Sequence, residues 1–293
     1  MEVTIEAEIA EQKDTLSKEF STFSEILVSL GIEGKVKQVI IPKDIAETVR
    51  EIEGDLSYEA EREHQHVIAK VLHSDDGAIM LFSPVLFSPI IVQLRWLTYL
   101  HEIIHIYTKT VFTPIETESP SIRWYLTNLY ILYDEYYANR KSLEMADRMF
   151  EEKTGPYNRH LRGFIGHLRA LRKQDSFYNP LKKEIVDYSQ HGDIRLFLSR
   201  IDSTWDQATK TIVYSYAFID YKERNKRLEK YLRGAAFINA YTEALIELFR
   251  LKYRDNNFDL HEGLDAMKDF TLNFGMAWQD MENGFYNCYV HHI

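Results

Sequence analysis

Cysteine is nearly absent from this chain: Cys288 is the one example in 293 residues. That excludes a disulfide framework and any cysteine-based zinc finger, and it favours a reducing compartment. Glycine (12 residues) and proline (7) are also scarce, which excludes collagen-like and low-complexity sequence. With 45% hydrophobic and 27% charged residues, there is material for one large packed domain or two modest ones. Long hydrophobic runs are missing. The best candidate, residues 77–92, is uncharged but contains Pro84 and Pro89 and is soon followed by Arg95. It reads as two buried strands, or one strand and a proline-bent loop. A basic excess is missing as well. The net charge is −10, with about −11 carried by residues 1–150 and about +1 by the remainder. Phosphate neutralisation needs clustered Lys and Arg, so a nucleic-acid partner is not expected. The first residues, Met1 to Glu6, are acidic where a signal or transit peptide would be basic. The expectation is a soluble, cytoplasmic protein with no membrane partner.

The hydrophobic pattern divides the chain in two. Leu16, Phe20, Phe23, Ile26, Leu27 and Leu30 place an amphipathic helix within residues 1–30, closed by Gly31 and Gly34. Val36–Ile41 reads as a strand and Asp44–Glu53 as a helix ending at Gly54. Residues 66–72 and 78–82 read as a hairpin across Ser74-Asp75-Asp76-Gly77. From Arg95 the pattern is helical to the end, punctuated at Gly155-Pro156, Asn179-Pro180 and Asn256-Asn257. Amphipathic stretches span 196–217, 228–253 and 264–281. The resulting expectation is an α+β domain over residues 1–153, with a short mixed sheet, and a mostly helical domain over 154–293.

The densest chemistry lies in His101-Glu102-Ile103-Ile104-His105, an H-E-x-x-H pattern. On a helix, positions i and i+4 share a face, so both imidazoles can reach one metal ion. Glu102 is rotated about 100° from His101 and can touch a metal-bound water without being a ligand. Trp96, Leu97, Tyr99, Leu100, Ile103, Ile104, Ile106 and Tyr107 make the segment apolar nearly all round. It should therefore be buried, with Thr98, His101, Glu102 and His105 as a polar stripe that needs partners. A third ligand is expected on the next helix, announced by Ser119-Pro120-Ser121. There Glu135 has Ile131, Leu132 and Ala138 as its helical neighbours, and a carboxylate on such a face is costly unless paired or metal-bound. Asn139, one turn on, could orient a ligand histidine. Pairing of Glu135 with Arg140 or another cation is the competing explanation. Asp134, Glu116, Glu118 and Glu144 are rival ligands.

These residues resemble the gluzincin branch of zinc metallopeptidases, where H-E-x-x-H is followed on a second helix by a ligand Glu. The roughly 30 residues between His105 and Glu135 look most like the compact group that includes the ImmA/IrrE-type repressor-cleaving proteases. The likeness covers residues 36–150. It departs at Ile104, where that group often has Gly, and at Asn139, where Asp is commoner. It implies a small zincin-like core holding Zn2+ through His101, His105 and Glu135, with Glu102 as general base in peptide hydrolysis. It also implies a peptide or protein substrate and a regulatory protein partner. Tyr157, His160, His167 and His191 are candidate oxyanion donors.

Two other classes compete. Di-iron helical proteins use E-x-x-H, a pattern also present at Glu61–His64 and Glu63–His66, although that region reads as strand. A non-catalytic regulator would keep a structural metal site, but such a site has no use for Glu102. The basic stretches Arg159–Lys173 and Lys222–Arg233 read as solvated helix faces, and His291-His292 as a loose tail.

Overall fold

A computed structural model describes residues 1–9, 13–54, 58, 61–62, 65–74, 77–88, 92–154, 174–221, 232, 235, 238–282 and 286–290. The chain forms two compact units, residues 1–110 and 111–293.

The first unit is built on a four-stranded mixed sheet. Its strands are β1 (Glu2–Ile5), β2 (Val36–Ile41), β5 (Ala69–Ser74) and β6 (Gly77–Phe82), in the order β1-β2-β6-β5. β1, β2 and β6 are mutually parallel, and β5 runs antiparallel to β6 as the expected hairpin. β2, with β6 one of the two inner strands, has the sequence Val-Lys-Gln-Val-Ile-Ile, and four of its six residues are buried. Two residues each of β3 (Glu61–Arg62) and β4 (Gln65–His66) make a separate antiparallel pair. Between β2 and β3 lies α2 (Ile45–Glu53). Its start is fixed by the Asp44 carboxylate, which accepts from the amides of Ala46 and Glu47, and its end by Gly54 at φ +70°.

One expectation changes here. The N-terminal helix, α1, runs from Lys13 to Ser29, inside the expected residues 1–30, while Glu2–Ile5 instead pair with β2 as an edge strand. Leu16, Phe20, Phe23 and Leu27 of α1 are buried, at the helical spacing the sequence displayed. A short 3-10 turn (Pro84–Phe87) follows β6, so the described residues 77–88 of the uncharged run are one strand and a proline-started turn. Next comes α3 (Val92–Val111). Its Tyr99 is fully buried, with the rings of Phe20, Phe23, Phe82, Phe87 and Trp96 around it at centroid distances of 4.7–6.5 Å. One turn earlier, the buried Arg95 guanidinium donates to Glu19 of α1 through Nε (3.2 Å) and Nη2 (2.6 Å), and through Nη1 to the Leu86 carbonyl.

The second unit contains α4 (Pro120–Thr154), α5 (Gln174–His191), α6 (Ile194–Tyr221), α7 (Ala240–Arg254) and α8 (Leu264–Leu272). α4 and α5 both pack against α6, and α8 packs against α4 and α7. The start of α4 is held by Ser119, whose hydroxyl accepts from the Ile122 amide, and by Asp280, which accepts from the Ser121 amide at 2.7 Å and from the Ser119 hydroxyl.

Two further expectations change in this unit. The helix expected over 264–281 stops at Leu272, and Met276–Asp280 (β7) and Tyr286–Val290 (β8) form an antiparallel hairpin. Gly275 at φ +78° turns the chain between helix and strand, and Trp278 packs at 4.4 Å on Trp124 of α4. Asn179-Pro180 does not break α5. Pro180 lies seven residues in, where it removes one amide donor without ending the helix. Gly155-Pro156 lies outside the described residues. Among those described, no helix is long and apolar enough to cross a membrane.

Candidate metal centre

The H-E-x-x-H segment sits on α3 as the spacing requires. Trp96, Tyr99, Leu100, Ile103, Ile104 and Ile106 are buried, while His101, Glu102 and His105 are half-buried. At 100° per residue the two histidines lie about 120–160° around the helix from Tyr99. The Tyr99 cluster and the Arg95–Glu19 pair therefore anchor one side of α3 and leave the histidine side to other work. Thr98 satisfies itself, its hydroxyl donating to the Leu94 carbonyl at 2.9 Å.

His101 Nε2 and His105 Nε2 lie 2.9 Å apart, with the ring planes perpendicular. Two nitrogens about 2.05 Å from one tetrahedral ion would be about 3.3 Å apart. The observed pair needs only a few tenths of an ångström of side-chain adjustment to fit. A shared proton and a shared cation are the two ways of satisfying lone pairs that converge like this.

Glu135 is on α4 and only 8% exposed. Its two oxygens are held differently. Lys210 Nζ of α6 lies 2.9 Å from Oε1, and the Tyr214 hydroxyl donates to Oε2 at 2.8 Å. The cation expected as an alternative partner is thus Lys210 and not Arg140, which pairs with Glu144 and donates to the Tyr136 hydroxyl. Lys210 also lies 3.1 Å from Asp206 Oδ1. Burial opposes its charge, but the carboxylates of Glu135 and Asp206 outweigh that and hold its pKa above the ordinary lysine value.

His101, His105 and Glu135 form a group that could hold a metal ion: one ligand atom from each, all within 4.8 Å of one another. Two imidazoles and a carboxylate are donors that zinc and neighbouring divalent metals accept.

The other candidates fall outside this group. Glu116 and Glu118 are exposed, and Asp134 is half-buried. Glu144 accepts from Tyr253 and Arg140. Asn139 donates its amide to the backbone carbonyl of Glu135 at 2.8 Å, within its own helix. His191 is exposed, and its Nδ1 accepts from the Asp193 amide. Tyr157, His160, His167, His291 and His292 lie outside the described residues, as do Arg159–Lys173 and most of Lys222–Arg233. Glu61 and His66 face each other across the β3–β4 pair, so their E-x-x-H patterns are not on a helix, and Glu63 and His64 are not described.

Lys210 and Tyr214 were not singled out from sequence. Their i, i+4 spacing on α6, between buried Thr209, Thr211, Ile212, Val213 and Ser215, is the signal that marks them. Comparison of the chain with protein-family models, curated proteins and solved structures finds no match.

Proposed function

We propose that this chain is a zinc-dependent metallopeptidase of the gluzincin type, nearest in motif spacing to the ImmA/IrrE-like group. The observation that carries the reading is the convergence of the His101 and His105 Nε2 atoms on α3, with Glu102 beside them. The Glu135 carboxylate completes the donor set.

A zinc ion held by His101, His105 and Glu135 would supply Lewis acidity and would bring the pKa of a water toward neutrality. Glu102 has the task of taking the proton from the attacking water and returning it to the leaving amine. Its position about 100° from His101 suits a base that is not itself a ligand. The imidazoles would bind the ion as neutral donors. The substrate is a peptide or protein. A regulatory cleavage in the cytoplasm fits the motif resemblance and the single cysteine.

The test is cleavage of unfolded protein substrates by the zinc-loaded chain, read by mass spectrometry of the fragments. Glu102→Gln should retain zinc and lose about 10²–10⁴-fold in rate. Equal cleavage by both proteins would refute the assignment of the base.

A further inference from the structure

Lys210 and Tyr214 grip the same carboxylate, but they are not equivalent. Tyr214 contributes a neutral hydrogen bond to Glu135 Oε2. Lys210 brings a full positive charge to Oε1 at 2.9 Å and shares it with Asp206 at 3.1 Å, one turn earlier on α6. The two carboxylates differ in setting, since the Glu135 side chain is 11% exposed and that of Asp206 is 48% exposed. An ammonium is held more strongly by the less hydrated partner, because water screens the other.

Glu135 is also the carboxylate of the candidate metal group. An ammonium and a divalent cation are each attracted to it and repel one another, so they compete for it. We propose that Lys210 is an internal counter-cation for Glu135, displaced toward Asp206 when a divalent cation takes that carboxylate. This rests on the metal-centre reading above. No proton moves in the exchange, because the ammonium is charged in both positions. Lys210 and Asp206 are positioning residues that set metal affinity through Glu135, and Tyr214 orients the carboxylate.

Lys210 and Tyr214 must then act in opposite directions. Lys210→Met removes the competitor and should tighten zinc binding by roughly tenfold. The same change should lower the melting temperature of the chelator-treated protein, since the buried Glu135 carboxylate loses the Lys210 charge. Lys210→Arg keeps the charge and should restore wild-type affinity. Asp206→Asn takes away the negative charge of the second site and should weaken binding several-fold. Tyr214→Phe should weaken it by about 10–100-fold, as loss of a hydrogen bond to a ligand does.

The experiment is a Zn2+ titration of the full chain and these variants against a chromophoric chelator, with folding checked by circular dichroism. Tighter binding by Lys210→Met, together with weaker binding by Asp206→Asn, supports the exchange. Weaker binding by Lys210→Met, in parallel with Tyr214→Phe, overturns it and makes Lys210 a simple support. Folded wild-type protein that takes up no zinc overturns the metal-centre reading itself, an outcome distinct from the other two.

Discussion

Arg95 and Glu19 offer the sharpest stability test, because the pair is buried and belongs to the helix that carries the histidines. Arg95 is fully buried and Glu19 is 8% exposed. Nε and Nη2 of Arg95 reach one Glu19 oxygen, Nη1 reaches the Leu86 carbonyl, and the guanidinium lies 5.1 Å from the Phe87 ring centroid. Removing one partner of a buried ion pair typically costs about 3–5 kcal/mol. An exposed pair would cost about 0–1 kcal/mol. Glu19→Leu should fall in the higher range, because arginine cannot shed its proton. Arg95→Met should cost less as pH is lowered, because the stranded carboxyl can protonate. The double variant Glu19→Leu/Arg95→Met should recover most of the loss, since an apolar pair of similar volume can replace a buried ion pair. Hydrogen exchange of α1 and α3 amides, read by mass spectrometry, reports the opening free energy of this unit directly. A single-variant loss below about 1 kcal/mol, or a double variant as unstable as the summed singles, would refute the argument.

Three other perturbations test separate parts of the fold. The hydrogen bonds from Ser119 and Ser121 hold the Asp280 carboxyl below its ordinary pKa. A depressed carboxylate stabilises the fold above the unfolded value of about 4, and that contribution is lost as pH falls through the folded value. Asp280→Asn should therefore unfold at lower urea than wild type at pH 7, and the gap should narrow progressively as pH falls below about 4. A gap that does not narrow as pH falls below about 4 would contradict this role for the Asp280 charge. Gly77, at φ +127°, would place a Cβ 3.0 Å from the Lys35 carbonyl oxygen. Gly77→Ala should cost about 1–3 kcal/mol in a denaturation experiment, and a neutral result would mean that the hairpin turn relaxes. Burial pushes the Cys288 thiol up to about 12. Iodoacetamide at pH 8 should thus label it only after unfolding, and fast native-state labelling would place it at the surface.

Local signals account for much of what could be read from sequence. Asp44 and Gly54 bracket α2 because a capping carboxylate and a left-handed glycine act within one turn of chain. The β5–β6 hairpin follows from its turn residues, and α1 follows from apolar spacing. The histidine pair and the burial of Glu135 were likewise visible, since helical periodicity alone sets both. Pairing between distant segments was not. Glu2–Ile5 is too short and too acidic to announce a strand, and becomes one only by hydrogen-bonding to Val36–Ile41. Met276–Asp280 continued a helical apolar pattern until Gly275 and its partner Tyr286–Val290 decided otherwise. The grip of Lys210 on Glu135, 75 residues away in sequence, depends on how α4 and α6 pack.

The central claim concerns metal, and elemental analysis of the purified chain tests it most directly. After reconstitution with zinc and removal of excess, the wild-type protein should hold about one zinc per chain. Glu102→Gln should hold the same amount, while His101→Ala and Glu135→Ala, folded by circular dichroism, should hold almost none. A folded wild-type protein without zinc, or full occupancy in Glu135→Ala, would contradict the account.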